Sequence, residues 1–129
     1  MALIAVMSIL STSGCSGDDR KQNAGNLKPV AATVSKKKVT FVELGSVKCI
    51  PCKMMQPIME DIEKEYGDQV DVVFVDVWTD AGRPYAEKYG IRAIPTQVFL
   101  DGNGAEYHRH QGFFPKEELV KILKMKGVQ

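Results

Sequence analysis

The sequence predicts an α/β domain: a central mixed sheet of four strands, with a fifth available just ahead of them, flanked by helices. Three observations carry this reading. From about residue 38 onward, apolar runs of strand length alternate with stretches of helical periodicity. The resulting order is β-α-β-α-β-β-α, in which the first two strands, joined by a helix, are parallel with a right-handed crossover. The last two strands are separated by Asp101-Gly102-Asn103-Gly104, a turn that closes an antiparallel hairpin.

Each element has its own local reason. Val39 to Leu44 (VTFVEL) is rich in β-branched and aromatic residues and reads as a buried strand that stops at Gly45-Ser46. From Cys52 to Tyr66, Met55, Ile58, Met59, Ile62 and Tyr66 fall on one helical face, and Pro57 should kink that helix. Val70 to Val77 (VDVVFVDV) reads as a second buried strand. Arg83 to Tyr89 gives a short helix closed by Gly90. Thr96 to Leu100 and Ala105 to Gln111 form the hairpin strands. Pro115 to Met125 is a last amphipathic helix with Leu119, Ile122 and Leu123 facing inward.

The residues ahead of this domain are of another kind. Met1 to Leu10 is an uncharged apolar run, too short to span a bilayer but of the length of a secretory signal core. Ser11-Thr12-Ser13-Gly14 then leads to Cys15. This stretch resembles the lipobox of bacterial lipoproteins: Ser13 and Gly14 match, whereas Thr12 stands where an aliphatic residue is usual. The resemblance implies export and a lipid on Cys15. Residues 16–37 carry few large apolar side chains and read as a flexible tether, although Val30 to Val34 could add the fifth strand at the sheet edge. The expected organisation is therefore a leader over 1–15, a tether over 16–37 and a folded domain over 38–129.

Of 129 residues, 44% are hydrophobic and 26% charged, which fits one ordinary globular domain. The net charge of +1 provides no basic face, so no nucleic-acid partner is expected. Lys36-Lys37-Lys38 reads as a solvated gatekeeper before the first strand. A monomer is expected.

Three cysteines are too few for a disulfide-stapled miniprotein, and two of them are spaced Cys-x-x-Cys. Cys49 and Cys52 lie at a strand-to-helix junction, where the free N–H groups of the helix start stabilise a thiolate. Lys48 and Lys53 add positive charge beside them. Cys49 is thus the expected nucleophile, with Pro51 suited to the first helical turn. One turn on, the deeper and less acidic Cys52 is placed to attack a mixed disulfide held on Cys49. The same spacing also serves as half of a zinc site. The other ligands would have to come from His108 and His110, which share one side of the last strand, away from the cysteines. An exposed strand face is the simpler role for them, and no metal is expected.

On these residues the chain resembles the thioredoxin family. The resemblance runs from about Lys38 to the C-terminus. It rests on Cys49-Ile50-Pro51-Cys52-Lys53-Met54 followed by Pro57, on Lys88-Tyr89-Gly90-Ile91-Arg92-Ala93-Ile94-Pro95-Thr96, on the Gly102-Asn103-Gly104 hairpin, and on Gly112. It implies a thioredoxin-like fold and a cis Ile94–Pro95 bond beside the cysteines. Substrate would then lie along Ile50, Pro51, Ile94 and Pro95, with the backbone of Ile94 pairing to an extended strand. It also implies that Glu43, six residues before Cys49 where the family usually has Asp, is a buried carboxylate acting as general base for the Cys52 thiol. Desolvation should raise its pKa. The alternative for Glu43 is a position turned to solvent.

The departures bear on specificity. The family usually has aromatic residues where Lys48 and Gly45 stand here, so a less apolar, more positive surface around the site is expected. Phe74 replaces a lysine that often accompanies the buried acid. Trp78, the only tryptophan, reads as structural or lining a loop.

The implied activity is reduction or exchange of protein disulfides through the Cys49–Cys52 couple, with no bound cofactor. Protein thiols and disulfides, together with an external reductase or oxidase, are the implied partners. A periplasmic or membrane-anchored lipoprotein is the expected location, with a cytoplasmic protein as the alternative. Two other functions stay open at this point: a dedicated redox partner in cytochrome maturation or in electron relay from a membrane reductase, and a metal-handling or protein-binding module.

Overall fold

The computed structural model describes residues 37–129, so Cys15, the leader and the Val30–Val34 strand lie outside the described residues. Seven elements follow in the expected order: β1 (Val39–Gly45), α1 (Ile50–Tyr66), β2 (Val70–Asp76), α2 (Arg83–Lys88), β3 (Thr96–Asp101), β4 (Glu106–Gln111) and α3 (Lys116–Lys124). The four strands form one sheet in the order β2-β1-β3-β4, with β1 parallel to β2 and antiparallel to β3, and β4 antiparallel to β3. The mixed sheet read from the sequence is therefore present.

Side-chain alternation divides the sheet into two faces, each with its own core. Val39, Phe41 and Phe99 point to the face covered by Met55, Met59 and Ile62 of α1 and by Leu119 and Leu123 of α3. On this face Phe41 and Phe99 stack with ring centroids 5.1 Å apart. That arrangement adds roughly 0.5–1.5 kcal/mol beyond burial alone. The opposite face carries Val42, Leu44, Val75 and Val98 under α2, with Tyr85 and Tyr89 packed against them. β1 and β3 are central and almost wholly buried, which explains their near-continuous apolar runs.

The structure corrects three boundaries or environments. α1 begins at Ile50, not Cys52, because Pro51 fits its first turn and Cys49 serves as N-cap. β2 is not a buried strand throughout: Val70 and Val75 are buried, whereas Val72, Val73 and Phe74 are half-buried. As the edge of the described sheet it has a neighbour on one side only. His108 and His110 do not lie on an exposed face. They sit half-buried on the α1 side, where the His110 ring stacks on Phe114 at 4.1 Å and His108 lies 5.8 Å from Phe99. A β-bulge between Phe99 and Leu100 leaves the β3–β4 ladder irregular there.

Candidate active site

Three strand ends and one helix start converge where β1 gives way to α1. The turn Ser46-Val47-Lys48 is pinned from β2 by Asp76, whose Oδ2 accepts hydrogen bonds from the Ser46 hydroxyl (3.3 Å) and the Val47 N–H (3.2 Å). Its Oδ1 accepts from the Trp78 N–H (3.0 Å), so one carboxylate ties the turn to the loop after β2. The Cys49 N–H donates to the Ser46 carbonyl (3.1 Å), and the Cys49 carbonyl receives the Lys53 N–H (3.0 Å), the first helical hydrogen bond.

Cys49 is the N-cap of α1, in extended conformation, and no side chain caps the helix there. No acidic residue occupies the first turn. The first N–H groups of the helix therefore meet no competing carboxylate at the sulfur. Cys49 retains 9% of its surface, whereas Cys52 retains none. Both are free thiols in the structure. Burial pushes the Cys52 thiol up to about 12, and its hydrogen bond with Cys49 acts in the same direction, against a backbone hydrogen bond at Ser46. Cys52 is the deeper of the two, as expected.

Gly45, where the family usually has an aromatic residue, does not lie on the surface. It is buried, and a Cβ built on it would lie 3.1 Å from Cys52 Sγ and 3.4 Å from Phe74 Cε2. Glycine here lets the thiol pack onto the end of β1. Pro95, buried, follows the cis Ile94–Pro95 bond and stands one position before Thr96, which pairs with Leu44. That register brings Pro95 level with Gly45, on the cysteine side of the sheet. Ile94 is half-buried, while Ile50 is 74% exposed and Pro51 is exposed. Val47, Met54, Trp78 and Phe113 are exposed as well, Val47 and Met54 being the chain neighbours of Lys48 and Lys53.

Glu43 is fully buried on β1, not turned to solvent. Burial raises its carboxyl to about 8, a rise that a hydrogen bond from Gln97 partly opposes. Phe74, its register partner on β2, offers no charge. The partner that sequence reasoning missed is Gln97: its Nε2 donates to Glu43 Oε2 (3.0 Å) and to the Gly112 carbonyl (3.1 Å). A signal was available, since glutamine stands alone in the apolar run of β3 at a position facing the same way as Phe99. Asp76 was missed too. Its place at the end of a strand gave no hint of the turn it holds. Among the described residues, no group of three or more His, Cys, Asp or Glu could hold a metal ion.

With this geometry in view, comparison with known proteins gives one consistent result. The thioredoxin family model matches residues 26–125. The chain is 39% identical over 85 residues to the thioredoxin of Bacillus subtilis, covering 66% of this chain and 79% of that protein. It is 36% identical over 86 residues to that of Staphylococcus aureus, with 66% and 79% covered. Among solved structures, the thioredoxin of Malassezia sympodialis superposes with a TM-score of 0.60 at 34% identity, over 70% of this chain and 77% of that one. A point mutant of the Halobacterium salinarum thioredoxin gives 0.65 at 23% identity, over 74% and 80%, a likeness of fold.

Proposed function

The chain belongs to the thioredoxin family and is a thiol–disulfide oxidoreductase acting on protein thiols and disulfides, and from that premise we propose how its residues divide the work. Cys49 attacks a substrate disulfide, forming a mixed disulfide and releasing one substrate thiolate. Cys52 then gives up its proton to the ionised form of Glu43 and attacks the Cys49 sulfur, breaking its bond to the substrate sulfur; the second substrate thiolate leaves and the Cys49–Cys52 disulfide remains. An external dithiol reductase returns the pair to the reduced state, so the couple needs no bound cofactor. The observation that carries this assignment is the asymmetry of the pair: Cys49 at the uncapped helix start with residual exposure, Cys52 sealed beneath it beside a buried acid.

The substrate strand lies along Ile94 and Pro95, with Ile50, Pro51, Val47 and Trp78 as apolar contacts and Lys48 and Lys53 as a positive rim. The test is reduction of a disulfide-bonded protein with a small dithiol as donor. Cys49→Ser should abolish turnover, and Cys52→Ser should accumulate a mixed disulfide visible by mass. Full activity in Cys49→Ser would overturn the nucleophile assignment.

For location, the reading is an exported lipoprotein held through Cys15, supported by the Ser13-Gly14-Cys15 sequence and the polar tether that follows. Expression of the full chain with a radiolabelled fatty acid tests it. Label should enter the native protein and not the Cys15→Ala variant; an unlabelled native protein would remove the anchor.

A further inference from the structure

Across the α1 face of the sheet, the register brings Phe74, Glu43, Gln97 and His110 level with one another on four successive strands. Glu43 and Gln97 in the middle of this row are fully buried. We propose that Gln97 is a positioning residue that couples the protonation state of Glu43 to the loop carrying Pro95, through the Gly112 carbonyl. The proposal rests on the reading of Glu43 as the acid beside Cys52.

The amide has a definite orientation. Both Nε2 hydrogens are used, one on Glu43 Oε2 and one on the Gly112 carbonyl, and a flipped amide would set an oxygen against two acceptors. The Gly112 N–H in turn donates to the Pro95 carbonyl (2.8 Å), and Gly112 holds φ +91, which a side chain would oppose. An unbroken chain thus runs from the Glu43 carboxyl through one side-chain amide to the residue that meets substrate.

Two buried atoms are left without partners, Glu43 Oε1 and Gln97 Oε1, both acceptors. They belong to the two groups already joined by the 3.0 Å bond. A proton on Glu43 Oε1 would supply a donor, and Gln97 Oε1, on the amide already bonded to Oε2, would accept it, so that the neutral acid and the amide satisfy each other on both sides. When Glu43 ionises, that second bond is lost and the remaining N–H donation becomes charge-assisted, drawing the amide toward the carboxylate and away from the Gly112 carbonyl. Coupling of this kind is reciprocal: whatever engages the Pro95 loop also shifts the proton affinity of Glu43. The groups facing Glu43 are Cys52 from α1, with Cys49 hydrogen-bonded to it, Phe74 from β2 and Gln97 from β3; His110 of β4 lies beyond Gln97.

The test is a pH titration of the reduced full chain by NMR, following the Glu43 carboxyl carbon and the backbone nitrogens of Gly112 and Phe113. In the native protein all three should move with one midpoint. In Gln97→Leu, Glu43 should still titrate, with its midpoint raised by about one to two pH units, the worth of a hydrogen bond to a charged group. The two backbone signals should then lose the component that follows the Glu43 midpoint. That component should also be absent in Glu43→Gln, which carries the test if Gln97→Leu does not fold. The His110 ring, whose Nε2 lies 3.2 Å from the Phe113 carbonyl, is followed by its own ring signals so that its component is separated. Backbone signals that keep the native Glu43 midpoint in Glu43→Gln, or follow the raised midpoint in Gln97→Leu, would overturn the coupling, as would native signals with no component at the Glu43 midpoint. The disulfide-reduction assay is run on the same native sample. Loss of turnover there would overturn the reading of the site, while the titration decides the coupling on its own.

Discussion

Replacing Glu43 by glutamine should make the protein more stable, by an amount set by pH. Burial moves the Glu43 carboxyl from its ordinary 4.5 to about 8. At 1.36 kcal/mol per pH unit, that displacement of about 3.5 units is worth about 5 kcal/mol. The sign follows from proton counting. Between pH 4.5 and 8 the folded chain keeps a proton that the unfolded chain has lost, so stability declines as pH rises. The contribution is whole below 4.5 and gone once pH passes 8. Glu43→Gln removes this titration while keeping the shape. Its advantage over the native protein should be about zero at pH 4, about 3 kcal/mol at pH 7 and about 5 kcal/mol near pH 9. Urea unfolding at several pH values, with a phosphine reductant holding both thiols reduced, measures the difference. A stability difference that does not change with pH would refute the claim that Glu43 is buried as a neutral acid. The same variant should slow release of the mixed disulfide, so stability and activity move in opposite directions.

Other consequences are open to direct measurement. With Cys52 pushed up to about 12 from an ordinary 9, its thiolate fraction at pH 8 falls about a thousandfold. Iodoacetamide at that pH should therefore label Cys49 at least tenfold faster, read by peptide mass; equal labelling would contradict the assigned depth. Gly45→Ala places a Cβ 3.1 Å from Cys52 Sγ and should cost about 1–3 kcal/mol in urea unfolding. Asp76→Ala removes three hydrogen bonds that hold the turn before Cys49 and the Trp78 loop. It should lower the melting temperature and kcat/KM together, and a variant with unchanged turnover would deny Asp76 its part in placing Cys49.

The fold was legible because the central strands and two helices announce themselves through period. β1 and β3 are buried on both faces and read as apolar runs, and α1 and α3 each present one apolar stripe. What period cannot convey is which neighbour covers a face. β2 has the same composition as a central strand yet lies at the edge of the described sheet. The β4 histidines, polar by type, pack their rings on Phe114 because imidazole has an aromatic face as well as two nitrogens. At the site, Cys49 and Cys52 were readable from their spacing at a strand-to-helix junction, and Pro95 and Glu43 from the family resemblance. Gly45, Asp76 and Gln97 were not, since their roles depend on contacts made between strands distant in sequence.

The bare N-cap of α1 carries a further implication. Serine is among the strongest helix-capping residues, and a serine at position 49 would supply the cap that the cysteine omits, a gain of roughly 1 kcal/mol. A one-atom exchange, sulfur for oxygen, would thus give a sturdier and catalytically silent protein. Selection for stability alone would drift toward that serine. The cysteine marks a place where the molecule forgoes robustness to keep a reactive sulfur at an unclaimed helix end.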